Sequence, residues 1–230
     1  MDLHEKSLLA TFKTTAAFGV KYATDFPPIS IGGQQFALVS AAVPTASGLA
    51  QAQTSGGGQK KAGIKSKAVA YKLLHDDLKA IADGAYYLVL LGTAGLDGKF
   101  LMPRNHGAQD MLNAARAFAT DAAAFTTQFV SVGLPATFIT QLNTDIAGYE
   151  TAISTKGAGL TAQGGATGGI EDTTHKAAVA LHVLNTIVNN TYKNNPQRLA
   201  EWVIASHVEK HTPVKRVKKT TSTTPATPAK

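Results

Sequence analysis

The residues best suited to metal chemistry are Asp172, His175 and His182, which lie close together in the sequence. Positions three and seven residues apart can share one face of an α-helix, so these side chains can point the same way. Metal sites in ferritin-type helical bundles need a carboxylate-x-x-His pair on each of two helices and further carboxylates opposite. The sequence offers a single such pair. These residues are therefore weak metal candidates, and no cofactor is expected.

A second group with chemical potential is His75-Asp76-Asp77. A carboxylate can orient an imidazole for general base catalysis. Adjacent residues of a helix point in different directions, however, so these side chains are predicted to lie on a solvated face. The sequence contains no G-x-S-x-G nucleophile motif, no phosphate-binding G-x-x-x-x-G-K-[ST] motif and no cysteine. No catalytic residue is assigned, and the chain is predicted not to be an enzyme.

The candidate residues of both groups are expected to lie on helices. Apolar side chains recur at steps of three and four in six segments of the chain, which is the spacing of one helix face. The clearest segment contains Leu74, Leu78, Ile81, Ala85 and Leu88. This spacing places the apolar residues in one stripe along a helix, and its mean period of 3.5 favours helices that wrap around one another. The sequence therefore predicts an all-α fold, an antiparallel bundle of six main helices.

Glycine and proline mark the expected ends of these helices. The Gly-rich stretches 56–63 and 157–169 are predicted to be flexible loops between helices. Pro44 lies inside the second segment and is expected to kink or shorten that helix. Asn195 and Pro196 end the sixth segment, and a short C-terminal helix is predicted over about 197–208.

The two halves of the chain follow a similar plan. Residues in the first segments, shifted by about 103 positions, fall on equivalent apolar positions in the second half. Each half has a proline-bearing break followed by a Gly-rich break. The pattern is consistent with a duplicated three-helix unit over residues 4–91 and 107–193, and equally with chance alignment of two heptad patterns.

Charge divides the chain into a body and a tail. The net charge is +7, but residues 210–230 carry six Lys or Arg and no acid, so the body, 1–209, is nearly neutral. The tail is rich in Thr, Lys and Pro, a composition typical of disorder. It is either a solubilising end or an arm that binds nucleic acid or another polyanion, and the candidate residues for such binding are Lys210, Lys215, Arg216, Lys218 and Lys219.

No apolar run is long enough to cross a bilayer, and no basic segment followed by an apolar segment marks a signal peptide near Met1. A cytoplasmic location is therefore expected.

One segment near the end of the body resembles a known group of proteins. It contains Tyr192-Lys193-Asn194-Asn195-Pro196, then Leu199-Ala200-Glu201-Trp202, then Ala205-Ser206-His207-Val208-Glu209. It is similar to the C-terminal segment of uncharacterised all-helical bacterial proteins, and so is the Ala-rich, helical composition of the body. The resemblance implies an all-helical fold and no particular activity. The single tryptophan, Trp202, is expected to anchor the short helix by packing.

Three functional classes follow from these patterns. A structural or interaction protein that forms homo-oligomers fits the heptad pattern with small residues, which allow close helix approach. Its candidate surface for self-association is the apolar cluster at the end of the third segment, Tyr86, Tyr87, Val89 and Leu91. The alternatives are a nucleic-acid-associated protein that uses the tail and a metal-binding helical bundle.

Overall fold

The computed structural model describes residues 1–105 and 107–209. These residues form helices joined by turns and loops, and they contain no β-strand. The all-α class is therefore confirmed. The described helices are α1 (Leu3–Lys21), α2 (Ile31–Leu90), α3 (Ala108–Ala122), α4 (Thr126–Ser131), α5 (Phe138–Thr191) and α6 (Pro196–Ser206), and a 3-10 turn, Ala123–Phe125, joins α3 to α4.

The helix count differs from the sequence prediction in a regular way. The predicted second and third helices form one helix, α2, of 60 residues. The predicted fifth and sixth helices form α5, of 54 residues. The predicted fourth helix is divided between α3 and α4. The prediction of loops at 56–63 and 157–169 is therefore wrong, because both stretches are helical.

Local sequence explains where the helices begin. Asp2 caps α1: its Oδ1 accepts a hydrogen bond from the Glu5 backbone N–H at 2.7 Å, and the Asp2 N–H donates to Glu5 Oε2 at 2.7 Å. Ser30 precedes α2, and its Oγ accepts from the N–H of Gly33. Pro44 does not end α2. A proline there leaves one backbone carbonyl of the preceding turn without its usual helical donor.

The close approach of α2 and α5 explains three of the helical glycines. A Cβ at Gly56 would lie 2.7 Å from the backbone N of Gln163, and one at Gly63 would lie 2.5 Å from the backbone N of Lys156. A Cβ at Gly159 would collide with the backbone of Lys60. Positions rise along α2 as they fall along α5, so the two helices run antiparallel here. Glycine is required because any side chain would push the backbones apart.

The described structure divides into two compact units, and both α2 and α5 supply residues to each of them. The first unit comprises 1–46 and the residues from 171 onward, and the second comprises 47–170. The core of the second unit is built on α2, α3, α4 and α5 and contains Leu74, Leu78, Ile81, Met111, Phe118, Phe129, Leu142 and Tyr149. The predicted single domain over 1–209 is thus built around two separate cores.

The core of the first unit is aromatic. It brings together Phe12, Phe18, Phe26, Phe36, Leu184, Val188, Tyr192 and Trp202. Trp202 is fully buried, and its Nε1 donates to Asn185 Oδ1 at 3.0 Å. The ring of Phe18 packs edge-on against Trp202, with centroids 5.1 Å apart. The expectation that Trp202 anchors the short C-terminal helix agrees with these contacts.

Polar contacts also attach α6 to its own unit. Asn195 caps α6, accepting a hydrogen bond from the N–H of Arg198 at 3.1 Å. Glu201 accepts hydrogen bonds from Lys21 and from the Tyr22 hydroxyl, both at 2.7 Å. At the other end of α6, the hydroxyl of Thr14 donates to the Ala205 carbonyl at 2.7 Å. Several residues of the segment from Tyr192 to Glu209 thus have structural roles.

The two halves of the chain both end in a long helix but differ before it: α1 alone precedes α2, whereas α3, the 3-10 turn and α4 precede α5. In each half, the last two predicted helices form one long helix, α2 in the first half and α5 in the second. Duplication of the halves stays a prediction.

We predict opposite effects for two alanine substitutions in α2. Gly63→Ala should destabilise the protein, because its Cβ would meet the Lys156 backbone. Gly58→Ala should stabilise it by about 1 kcal/mol, because a Cβ there meets nothing within 4 Å and alanine favours helix. Thermal unfolding followed by circular dichroism measures both. Equal stabilisation by the two substitutions would contradict the close approach at Gly63.

Candidate functional site

The most unusual polar group of the second unit is a pair of carboxyl groups between α2 and α5. Asp77 follows the buried Leu74 by three residues, which turns its side chain partly into the helix interface. Asp145 precedes the buried Ile146 and is itself only 9% exposed. Because the two helices pack together here, an acid from each is brought into the same desolvated region.

Hydrogen bonding in this pair is incomplete unless it holds a proton. Gln141 Nε2 donates to Asp145 Oδ2 at 3.0 Å. Within the described part of the chain, no donor faces the buried Oδ2 of Asp77. Burial, then the side-chain hydrogen bond with Asp145, raises the pKa of Asp77 to about 7. A proton on Asp77 lets this carboxyl group donate a hydrogen bond to Asp145.

A cavity of about 210 Å³ adjoins Asp77. Leu134, Phe138 and Gln141 line it together with Asp77, so its walls are largely apolar. A protonated carboxyl beside an ionised one is the arrangement that acid–base enzymes use. Of the two acids, however, Asp77 lines this cavity and Asp145 does not. The pair therefore does not present both carboxyl groups to one bound molecule.

The neighbours of Asp77 in the sequence lie in a different environment. Asp76 is exposed and accepts a hydrogen bond from Lys72 Nζ at 2.6 Å, which holds the pKa of Asp76 below its usual value. His75 Nδ1 lies 3.7 Å from Asp76 Oδ1. The prediction of a solvated face therefore fits Asp76, whereas His75 and Asp77 are both half-buried. The missed signal was Asp77 itself, an acid three residues from one buried leucine and next to another.

The weak metal candidates lie in the first unit, and all are exposed. Asp172 accepts a hydrogen bond from Lys176 Nζ at 2.8 Å, an i,i+4 ion pair on the surface of α5. His175 and His182 lie further along the same helix. Within residues 1–105 and 107–209, no group of three His, Asp or Glu side chains is placed to hold a metal ion.

The candidates for self-association lie at the end of α2, and most are exposed. Tyr86 is 63% exposed, Tyr87 59% and Leu91 76%. Val89 is half-buried and packs against the core of the second unit, so little of it is available to a partner. Leu90, which lies between these residues, is also 65% exposed. We call Tyr86, Tyr87, Leu90 and Leu91 the α2 apolar end.

A larger groove of about 390 Å³ lies between α1 and α6 in the first unit. Thr11, Thr14, Val203 and Ile204 are among its lining residues. The two threonine hydroxyls already donate to carbonyls of α6 or of the residue that follows it, Thr11 to His207 O at 2.9 Å and Thr14 to Ala205 O. These hydroxyls complete the end of α6 and are not displayed for a ligand.

The polyanion candidates Lys210, Lys215, Arg216, Lys218 and Lys219, and the predicted tail as a whole, lie outside the described residues. Among the helices that are described, none has the length and apolar character needed to span a membrane. Comparison of the chain with protein-family models, with curated proteins and with solved structures gives no match.

We predict that Asp77→Asn stabilises the protein at pH 8. The folded-state pKa of Asp77, about 7, lies above the unfolded value of about 3.9. Between these values the folded state holds a proton that the unfolded state has released, so wild-type stability falls as pH rises from about 4 to about 7. Asparagine cannot ionise, so the variant does not lose this stability as the pH rises. The melting temperature should rise by a few degrees at pH 8, and the gain should shrink by pH 5.

Asp76→Asn is the matched control, because Asp76 is the adjacent acid and is exposed. The substitution removes an ion pair with Lys72 and does not remove a buried charge, so it should not raise the melting temperature at pH 8. Melting curves of both variants from pH 4 to pH 9 make the comparison. A gain for Asp77→Asn that is the same at every pH would contradict a titrating carboxyl pair.

Proposed function

We propose that this protein is a non-enzymatic structural or interaction protein that self-associates through the α2 apolar end. The observation that carries the proposal is the exposure of four large apolar side chains within six consecutive residues, three in the last turns of α2 and Leu91 directly after it. Self-association would remove this surface from water.

These side chains form a continuous patch. Tyr86 and Leu90 are four residues apart on one face of α2, and Tyr87 and Leu91 are four apart on the adjoining face. The rings of Tyr86 and Tyr87 contact each other, with centroids 5.8 Å apart. Contiguous exposed apolar surface of this kind is typical of sites that bind other proteins, and tyrosine is enriched at such sites.

The contacts between α2 and α5 support a bundle as the scaffold for this surface. We infer that the helices of each unit form an antiparallel bundle, because the glycine contacts order α2 and α5 in opposite directions in the second unit. A patch on such a scaffold is held by a rigid helix, so its side chains lose little backbone entropy on association.

We predict that Tyr86→Ser combined with Leu90→Ser shifts the protein towards monomer. Wild-type protein should form a dimer or larger oligomer at tens of micromolar, and the variant should dissociate because it lacks two exposed apolar side chains. Light scattering coupled to size exclusion measures the mass of each.

The matched control is Val203→Ser combined with Ile204→Ser. These residues of α6 are 63% and 76% exposed, comparable to Tyr86 and Leu90, but belong to the first unit. The control should keep the wild-type mass. A wild-type monomer at these concentrations, or an oligomer that the Tyr86 and Leu90 substitutions leave intact, would refute the proposal.

A second candidate function is binding of nucleic acid through residues 210–230, which the basic charge of this segment favours. Binding would neutralise phosphates and should therefore weaken steeply as salt rises. We predict that removal of 210–230 abolishes any salt-dependent shift of a fluorescent DNA duplex in an anisotropy titration. Equal binding by the full chain and the truncated chain would contradict this function.

A further inference from the structure

A stripe of exposed residues runs along α2 on the side opposite its buried stripe. Its members recur at steps of four and three, and each is exposed: Lys65, Val69, Lys72, Asp76, Lys79, Asp83, Tyr86 and Leu90. The buried stripe, which includes Leu78 and Ile81, faces the core of the second unit. A second heptad pattern on the outer face is what a helix needs to pair with one more helix.

The order of charges along this outer stripe selects the direction of a partner. From Lys72 to Asp83 the charges alternate, positive, negative, positive, negative. A second copy laid parallel and in register would place Lys72 against Lys72 and Asp83 against Asp83. An antiparallel copy reverses the order, so every charge meets the opposite charge. Like charges brought together at an interface are unfavourable, and complementary charges set its orientation.

Apolar residues flank the charged centre symmetrically. When the two-fold axis passes midway between Asp76 and Lys79, Lys72 faces Asp83 of the second copy and Val69 faces its Tyr86. Val69 is 62% exposed and Tyr86 is 63% exposed, so both have surface to bury. The charged pairs lie near solvent and contribute little affinity. The two Val69–Tyr86 pairs that flank the charged centre therefore supply most of the attraction.

Ion pairs within the helix are compatible with this arrangement. Lys72 Nζ lies 2.6 Å from Asp76, and Lys79 Nζ lies 2.6 Å from Asp83. In an antiparallel pair each of these charges gains a second partner from the other copy, which joins them in one network. The paired region from Lys65 to Leu90 is about 38 Å long at 1.5 Å per residue.

We infer that the partner of this stripe is α2 of a second copy of the chain, packed antiparallel with the axis between Asp76 and Lys79. This inference rests on the proposed self-association and specifies its geometry. It extends the contact from the α2 apolar end along the outer face of the helix to Val69.

Cysteine crosslinking tests this arrangement directly, because the chain contains no cysteine of its own. Lys72→Cys and Asp83→Cys are made as separate proteins, which keeps Val69 and Tyr86 intact in both. After mixing and mild oxidation, a disulfide-linked dimer should form between the two variants, because the antiparallel copy brings these positions together. Each variant oxidised alone should give several-fold less dimer. Leu38→Cys, exposed in the first unit, mixed with Lys72→Cys, controls for random collision.

The outcomes separate the inference from the proposed function. Efficient linkage of Lys72→Cys to itself would overturn the antiparallel arrangement in favour of a parallel one. An oligomer by light scattering without linkage above the Leu38→Cys control would overturn this register while leaving self-association in place. A monomer by light scattering would overturn both.

Discussion

The close backbone contact between α2 and α5 is the constraint on which the rest of the structure depends. At Gly56, Gly63 and Gly159 the two helices approach so closely that a Cβ would collide with the opposing backbone. The contact lets both helices continue through stretches that would otherwise be expected to loop. Because α2 and α5 continue, the same two helices contribute to the core of the first unit and to the core of the second.

This constraint also explains which parts of the fold the sequence could predict. The all-α class follows from the apolar stripes, since their period is that of a helix. The start of α6 after Asn195 follows from local capping chemistry. The helical state of 56–63 and 157–169 could not be predicted from propensity, because glycine is normally unfavourable in a helix. The clue was spacing: Gly56 and Gly63 are seven residues apart, in phase with the apolar stripe. Nothing in the structure explains glycine at position 58.

One candidate site could likewise be predicted from the sequence, and the other could not. Exposure of Tyr86, Tyr87 and Leu91 followed from apolar residues that exceed one helix face. Burial of Asp77 against Asp145 was not predicted, because it depends on which residue of α5 lies opposite α2, and that register is a tertiary property. The two features have different consequences. The carboxyl pair is expected to make the stability of the protein depend on pH, and the outer face of α2 offers a surface on which another helix can pack.

Hydrogen exchange of the backbone amides in 56–63 shows whether α2 is continuous through this stretch. If this stretch is helical and packed on α5, its amides are hydrogen-bonded and should exchange much more slowly than those of an unstructured peptide, with protection close to that of residues 74–88. Exchange of these amides at the rate of an unstructured peptide, with slow exchange on both sides, would show a loop between two helices and contradict the account.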